Sequence, residues 1–467
     1  MIDQVTSEIN IWWIRRDIRL TDNPALQRAL DGGRAVLPVF ILDDTLLSAS
    51  APKRKAYLYA VLRGLMIELE RRGSKLIVRS GNPCHEIPKF VHETGARAVY
   101  AMEDYSPYSR QRDECVRRQV NLQWVGGQTV FHPSLIQTVD GRPYTVFTPF
   151  SRAWKALPFP NQALWEPPDQ FPKIPNIISN PVPLDPPPAG FPASEVRSLE
   201  RLQLFVSETI YRYQEDRNRL DIDGTSRLSA PLRFGVLSPR LAALEALRAI
   251  NTAPDEPSRR SAETWLNELI WREFYQSILY HFPHVLTQAF NPSLRSINWQ
   301  GSADELQAWK EGRTGYPVVD AAMRQLAATG WMHNRARMIV ASFLVKDLLI
   351  NWQEGERWFM QNLVDGDPSA NNGGWQWTAG VGTDAAPYFR IFNPVLQGKK
   401  FDPSGNYVRS WLPELMHVPD EYIHTPWWMP LSLQQSLGCI IGMNYPLPLV
   451  DHATARERTL IAYRVRA

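Results

Sequence analysis

The sequence predicts an α/β unit over residues 1–135 and an all-α unit over residues 198–467, joined by a connecting segment at 136–197. Three observations point there. Short, continuous apolar runs alternate with helix-like patterns in the first third. Twelve of the 38 prolines fall within residues 158–192, where neither a helix nor a central strand fits. From about Ser198 onward, apolar residues recur at steps of three and four, and strand-like runs are few.

The runs INIWWI (9–14), AVLPVFI (35–41), KLIVRS (75–80) and AVYAM (98–102) read as buried strands. Helical patterns lie between them at 24–29, 55–72 and 84–94. Strand, helix, strand at this spacing predicts a Rossmann-like parallel sheet with helices on both faces. No GxGxxG follows the first strand and no GxxxxGK[ST] occurs, which excludes the dinucleotide fingerprint and the P-loop. The prolines of 158–192 predict an extended connection. Helices follow at 199–216, 239–250, 262–282, 318–329, 334–349 and 354–363. There is no fixed-period repeat and no long heptad array, which disfavours a solenoid or a coiled coil.

With 51 Lys+Arg against 48 Asp+Glu, the formal charge of +3 gives no global basic field, so nucleic-acid binding would need a local patch. No stretch approaches 18 consecutive apolar residues, so no transmembrane helix is expected. The opening MIDQVTSEIN is polar and acidic, unlike a secretory leader. Cys84, Cys115 and Cys439 stand far apart, which excludes a CxxC metal motif, disfavours a disulfide framework and points to a reducing compartment. Twelve of the 17 tryptophans lie from Trp265 onward. Core filling is the plain reading; stacking on a flat ligand and an electron path are the sharper ones.

Four segments carry chemistry. In WLNELIWREFY, Trp265, Glu268, Trp271 and Arg272 share one helix face. A carboxylate between two indoles could hydrogen-bond a heterocycle stacked on them, or belong to a structural cluster. GWMHNRARMIV sets Asn334, Arg335, Arg337 and Met338 at a helix start, suited to a phosphate or simply a solvated arginine face. His333 has no partner at metal spacing. DGDPSANNGGWQW crowds Asp365, Asp367, Asn371 and the adjacent Gly373 and Gly374 before Trp375 and Trp377, which suits a polar heterocycle in an apolar shell. A Ca²⁺ loop fails because position 376 is Gln. DIDGTSRLS offers hydroxyls, backbone N–H groups and Arg227 to a phosphate, although such loops are common.

GTSRLS, WLNELIWREFY, TGYPVVDAAMRQL, TGWMHNRARMIVASFLVKDLL and DGDPSANNGGWQW, in this order and with the opening WWIRRDIRLTDN, resemble the photolyase/cryptochrome flavoproteins. The nearest likeness is to microbial class I cyclobutane pyrimidine dimer photolyases. The resemblance implies an α/β antenna domain, a long connection and a helical domain binding FAD. It implies that Tyr213, Thr225, Ser226, Arg227, Leu228 and Ser229 hold the FAD phosphates and sugar, with Trp265 and Arg272 lining the pocket. Arg337 and Asp365 would pair beside the isoalloxazine, with Asp367 in the same loop and Asn371 facing flavin N5. Glu268 would hydrogen-bond the flipped-out dimer, Trp271 and Trp377 would stack on it, and Asn334 and Met338 would contact it from below. Photolyases of (6-4) photoproducts carry histidines at those last two positions, so the resemblance favours cyclobutane dimers. Arg217, Arg335, Arg390 and Gln397 match DNA-contacting positions, and Trp375, Trp352 and Trp299 match a photoreduction chain.

The implied activity is that of a deoxyribodipyrimidine photo-lyase: excited FADH⁻ gives the dimer an electron, two cyclobutane bonds break, and the electron returns. For an antenna pigment, Asp104 matches an acidic residue of the 8-hydroxy-deazaflavin binders. Ser106 and Ser109 stand where deazaflavin and folate binders, respectively, carry glutamate. Deazaflavin is favoured over methenyltetrahydrofolate, with another flavin or no antenna left open. Damaged DNA is the expected partner, and a cytoplasmic monomer without membrane attachment is the expected state. The competing reading is a cryptochrome-like blue-light photoreceptor. Asn371 and the lack of a long tail argue against it. An ordinary flavin oxidoreductase would need a nicotinamide site, for which there is no fingerprint.

Overall fold

The computed structural model describes residues 9–160 and 164–464. The segment 1–8, on which the reading of a leader rests, and residues 161–163 of the proline-rich connection lie outside the described residues. The chain folds as two compact units, Met1–Tyr211 with Ser226–Pro283, and Arg212–Thr225 with His284–Ala467.

The first unit is built on five strands, β1 (Ile9–Ile14), β2 (Ala35–Leu42), β3 (Ile77–Ser80), β4 (Ala98–Glu103) and β5 (Leu122–Gly127). Their order is β3-β2-β1-β4-β5, and every neighbouring pair is parallel. β2 is buried along its whole length, as a strand covered on both faces must be. Helices α1 (Pro24–Leu30), α2 (Pro52–Arg71), α3 (Pro83–Thr94) and α4 (Pro107–Arg117) alternate with the strands. Each begins on proline, whose missing N–H costs nothing in a first turn. Asn23, Asn82 and Ser106 cap α1, α3 and α4 with their side chains.

Two of these elements are absent from the sequence reading. β5 is an edge strand whose LQWVGG is mostly exposed or half-buried, so it lacks the apolar run that marks the others. α4 is strongly polar, and Arg112 and Asp113 are buried in it as a pair.

The segment 136–197 contains a further helix, α5 (Phe147–Ala156). The described part of 158–192 has neither helix nor strand. It lies against β3 and the end of α2: Asn180 N donates to Val78 O at 2.8 Å, and Phe171 N to Arg72 O at 2.8 Å. Further helices of this unit are α6 (Glu195–Ser207), α7 (Ser229–Phe234), α8 (Pro239–Asn251) and α9 (Glu256–His281). The helix read as 199–216 breaks after α6 into a tight turn at Thr209–Arg212 and a single helical turn at Tyr213–Asp216.

Gly235 ends α7 with φ +64°, and a Cβ there would meet Arg16 O at 1.8 Å. Only glycine lets the loop after β1 lie this close to α7. Arg19 reinforces the contact by donating to Gly235 O at 3.0 Å.

The second unit is helical: α10 (Ala303–Glu311), α11 (Pro317–Thr329), α12 (Asn334–Ser342), α13 (Trp352–Asn362), α14 (Pro368–Ala379), α15 (Pro394–Phe401), α16 (Asn406–Trp411), α17 (Leu431–Leu437) and α18 (His452–Arg464). One apolar core joins them, with Trp309, Trp352 and Trp375 among its buried members. The helix read as 334–349 stops at Ser342 and widens into a π-turn at Phe343–Asp347, where Lys346 and Asp347 are buried.

Cys84 and Cys115, distant in sequence, come together between α3 and α4. Gln119 Nε2 lies 3.0 Å from Cys84 O and 3.1 Å from Cys115 O. Burial, then the Cys115 thiol, push the Cys84 thiol up to about 12. The three cysteines are free thiols.

Candidate functional site

In the first unit the candidate residues stand on α7, on the loop before it and on α9. The loop turns at Arg227, which takes the left-handed φ of 53° seldom adopted by a side-chain-bearing residue. Leu228 is buried and anchors the loop, Ser226 O accepts from Arg201 at 2.9 Å, and Ser229 opens α7. The result is a strained turn, with Ser226 half-buried and Ser229 exposed beside it.

On α9, Trp265 is buried and packs on Phe205 at 5.0 Å between ring centres. Glu268 and Trp271 are half-buried on the same helix face. Arg272 donates to two backbone carbonyls, Gln128 O at 2.8 Å and Leu232 O at 3.2 Å, tying α9 to α7.

Asp104 follows β4 at the point where the strand order reverses, β1 lying between β2 and β4. It is buried, 3.7 Å from Arg16. Burial pushes its carboxyl up, but Arg16, Arg112, Arg15 and Arg233 outweigh that and leave it below its ordinary value. The hydroxyls of Ser106 and Ser109 bond each other at 2.8 Å.

In the second unit, His333 caps α12, its Nδ1 accepting from Arg335 N at 3.1 Å. This gives His333 a structural role at the helix start. Asn334 is exposed on the first turn, while Arg337 and Met338 are half-buried. Arg337 donates to both oxygens of Asp365, at 3.1 and 2.8 Å, and to Met332 O. Both carboxylate bonds leave the same nitrogen, Nη2, and with Nε held by Met332 O they fix the guanidinium in place. Arg335 donates to Asn218 Oδ1 and lies over Phe401. Arg217 lies over the ring of Tyr213 at 5.7 Å. Arg390 is exposed, and Gln397 is half-buried on α15.

Asp367 caps α14 by accepting from Ser369 N and Ala370 N. This helix is two-sided. Asn372, Trp375, Gln376 and Ala379 are buried. Gln376 and Asn372 both donate to Val285 O, which holds that face in place. Asn371, Gly374 and Trp377 fall at steps of three on the other side and are half-buried. A Cβ on Gly374 would meet nothing within 4 Å.

Asn371 donates its amide N–H to Glu356 O at 3.0 Å. The Glu356 carboxyl is pushed by burial up to about 7, with the Asn372 amide pulling it down. Trp375 and Trp352 are core members, and Trp299 packs partly buried against the same core. Trp375 reaches α13 because Gly355 leaves room, since a Cβ there would lie 2.1 Å from the indole.

Residues 10–172 match the family described as DNA photolyase, and residues 265–465 the FAD binding domain of DNA photolyase. The deoxyribodipyrimidine photo-lyase of Escherichia coli is 40% identical over 476 residues, covering 97% of each chain. The chain belongs to the photolyase/cryptochrome family. Among solved structures of the family, a bacterial class III photolyase from Agrobacterium tumefaciens superposes with a TM-score of 0.92, 36% identity and coverage of 100% of this chain and 99% of that one. An archaeal photolyase from Sulfolobus tokodaii, described with two FAD molecules, gives 0.82 at 29% identity, covering 98% and 100%.

The residues present fit an FAD. The open side of α14 offers a flat space over Gly374, edged by an amide and an indole. Within the second unit, Arg337 and Asp365 supply a fixed cation and carboxylate; within the first, Ser226, Arg227 and Ser229 are groups able to meet a phosphate. Two residues beside the candidates escaped the sequence reading. Phe147 stacks on Trp271 at 3.7 Å with ring planes 5° apart. Glu356 orients Asn371 through its backbone. The pairing of VFTPF with WREFY is a contact between distant segments, and no local pattern signals it.

Proposed function

We propose that this photolyase-family chain is a light-driven DNA repair enzyme that splits cyclobutane pyrimidine dimers. The observation that carries this reading is the two-sided helix α14, with Asn371, Gly374 and Trp377 on its open face. FAD, when bound and reduced, supplies on illumination the electron that opens the cyclobutane ring. Tyr213, Thr225, Ser226, Arg227, Leu228, Ser229, Trp265, Arg272, Arg337, Asp365, Asp367 and Asn371 are assigned to holding it.

The rest is done by the chain. Glu268 hydrogen-bonds the lesion and steadies developing charge. Trp271 and Trp377 replace the stacking lost when the dimer leaves the duplex. Asn334 and Met338 contact the dimer without a titrating imidazole, which favours the cyclobutane lesion over the (6-4) photoproduct. Arg217, Arg335, Arg390 and Gln397 contact the DNA, the arginines meeting phosphates and making affinity salt-dependent. Trp299, Trp352 and Trp375 pass an electron from the surface inward.

The proposal keeps the domain bounds at 135 and 198, a class I assignment, a cytoplasmic monomer and an antenna pigment near Asp104. Asp104 is already enclosed by arginines, so such a pigment would have to be drawn by their charge.

The test is repair of an oligonucleotide with one thymine cyclobutane dimer by the photoreduced protein. A (6-4) oligonucleotide, a dark sample and Glu268→Ala run alongside. Light-dependent repair of the dimer alone, lost in Glu268→Ala with FAD retained, is the expected result. No repair by a protein that holds reducible FAD would shift the reading to a photoreceptor.

A further inference from the structure

Helix α5 lies in the connecting segment, yet it is fastened along α9. Trp154 donates to Glu273 at 2.7 Å, Lys155 pairs with Glu263 at 2.9 Å, and Phe150 packs on Phe274 at 5.3 Å. At the start of α5, Phe147 lies flat against Trp271, ring centres 3.7 Å apart. Phe274 meets the Trp271 edge at 5.5 Å and 86°, and Tyr275 flanks it at 5.6 Å.

A face-to-face stack this close is the less common arrangement for aromatic pairs, which prefer offset or edge-on contact. Phe147 covers one face of the indole, Phe274 packs on it with ring planes 86° apart, and Tyr275 leans on it with planes tilted by 33°. Trp271 remains half-buried, so part of its surface stays open. An indole on a helix surface would otherwise sample several rotamers, and ordering it on binding would weaken affinity.

We propose that Phe147 is a positioning residue: it locks Trp271 in one orientation so that the open indole face stacks on an extruded pyrimidine dimer. This makes α5 a working part of lesion recognition. The inference rests on the reading of Trp271 as a lesion-stacking residue.

The test is dark binding of the full-length flavoprotein to an oligonucleotide carrying one thymine dimer, against the undamaged oligonucleotide. Flavin content and melting temperature check folding. Phe147→Leu should weaken dimer binding about three- to tenfold and leave undamaged binding unchanged. Phe147→Tyr, which keeps the ring, should restore it. Phe147→Leu should add little to the loss in Trp271→Ala, because the two residues act as one unit. If Phe147→Leu loses flavin, Phe147→Met replaces it in the same series.

Full dimer affinity in Phe147→Leu beside a weakened Trp271→Ala would overturn the proposal and leave the reading of Trp271 standing. An additive double-variant loss would overturn it too, since Phe147 would then act by itself. Full affinity in Trp271→Ala would sink the stacking role of Trp271 and this inference together.

Discussion

The side-chain amide of Asn371 donates to the backbone carbonyl of Glu356 at 3.0 Å, which leaves its own carbonyl oxygen as the group turned to other partners. The chain thus chooses which end of the amide acts. An acceptor beside a reduced flavin suits a ring N–H, and a neutral one adds no charge to an already anionic group.

Asn371→Asp should undo both effects. An ionised carboxylate has no hydrogen for Glu356 O, and its charge disfavours reduced FAD. Photoreduced variant should reoxidise in air several-fold faster than the parent, as followed by flavin absorbance. Equal reoxidation rates would refute the proposed contact.

Glu273 accepts from Val130 N and Trp154 Nε1 while buried, and burial pushes its carboxyl from 4.5 up to about 7, those two donors pulling the other way. The folded chain holds this proton more tightly than the unfolded chain. Stability from this group therefore falls as pH rises from about 4.5 to about 7, and levels off above. Glu273→Gln removes the titration but points an amide N–H at one of two donors. The variant should be less stable than the parent at pH 5, with the gap narrowing by pH 7.5. Urea midpoints across that range measure it, and a constant gap would count against the assignment.

Cys84 is held up to about 12 by burial and by the Cys115 thiol, so little of it is thiolate at neutral pH. Alkylation by iodoacetamide at pH 8 should be roughly a hundredfold slower than for an ordinary thiol. Cys115→Ser should speed it. Peptide mass spectrometry over time reads both, and a Cys84 that labels at the ordinary rate would contradict the geometry.

Gly235→Ala tests the seam between the loop after β1 and the end of α7. The left-handed backbone alone costs about 1–2 kcal/mol for alanine. The overlap with Arg16 O forces a backbone shift on top of that. The melting temperature should drop by several degrees, and FAD retention should fall because α7 opens at Ser229. An unchanged melting temperature would show that the seam is loose.

Much of the fold was legible because its signals are local. β1 to β4 are apolar runs, and α1 to α3 begin on Asn-Pro or Ala-Pro and carry their own periodicity. β5 was not, because an edge strand half in water needs no apolar run. α4 was not, because Arg112 and Asp113 are buried as a neutralised pair, which a hydropathy pattern reads as surface. The stop of α12 at Ser342 was missed because Phe343, Leu344 and Val345 continue the apolar run, and nothing local marks the wider π-turn there. For the site, the residue types at 265–272, 334–338 and 365–377 were readable, since their spacing on a helix decides which share a face.

By itself the sequence determined the fold class, the family and the set of polar and aromatic groups on offer, because these rest on local propensity, periodicity and long motifs. Only the tertiary structure decided how those groups are held. It put Phe147 against Trp271, turned the Asn371 amide with the Glu356 carbonyl, enclosed Asp104 in arginines and brought Cys84 to Cys115. Each joins residues distant along the chain, and such contacts follow from the packing of whole helices and strands, which no window of sequence contains.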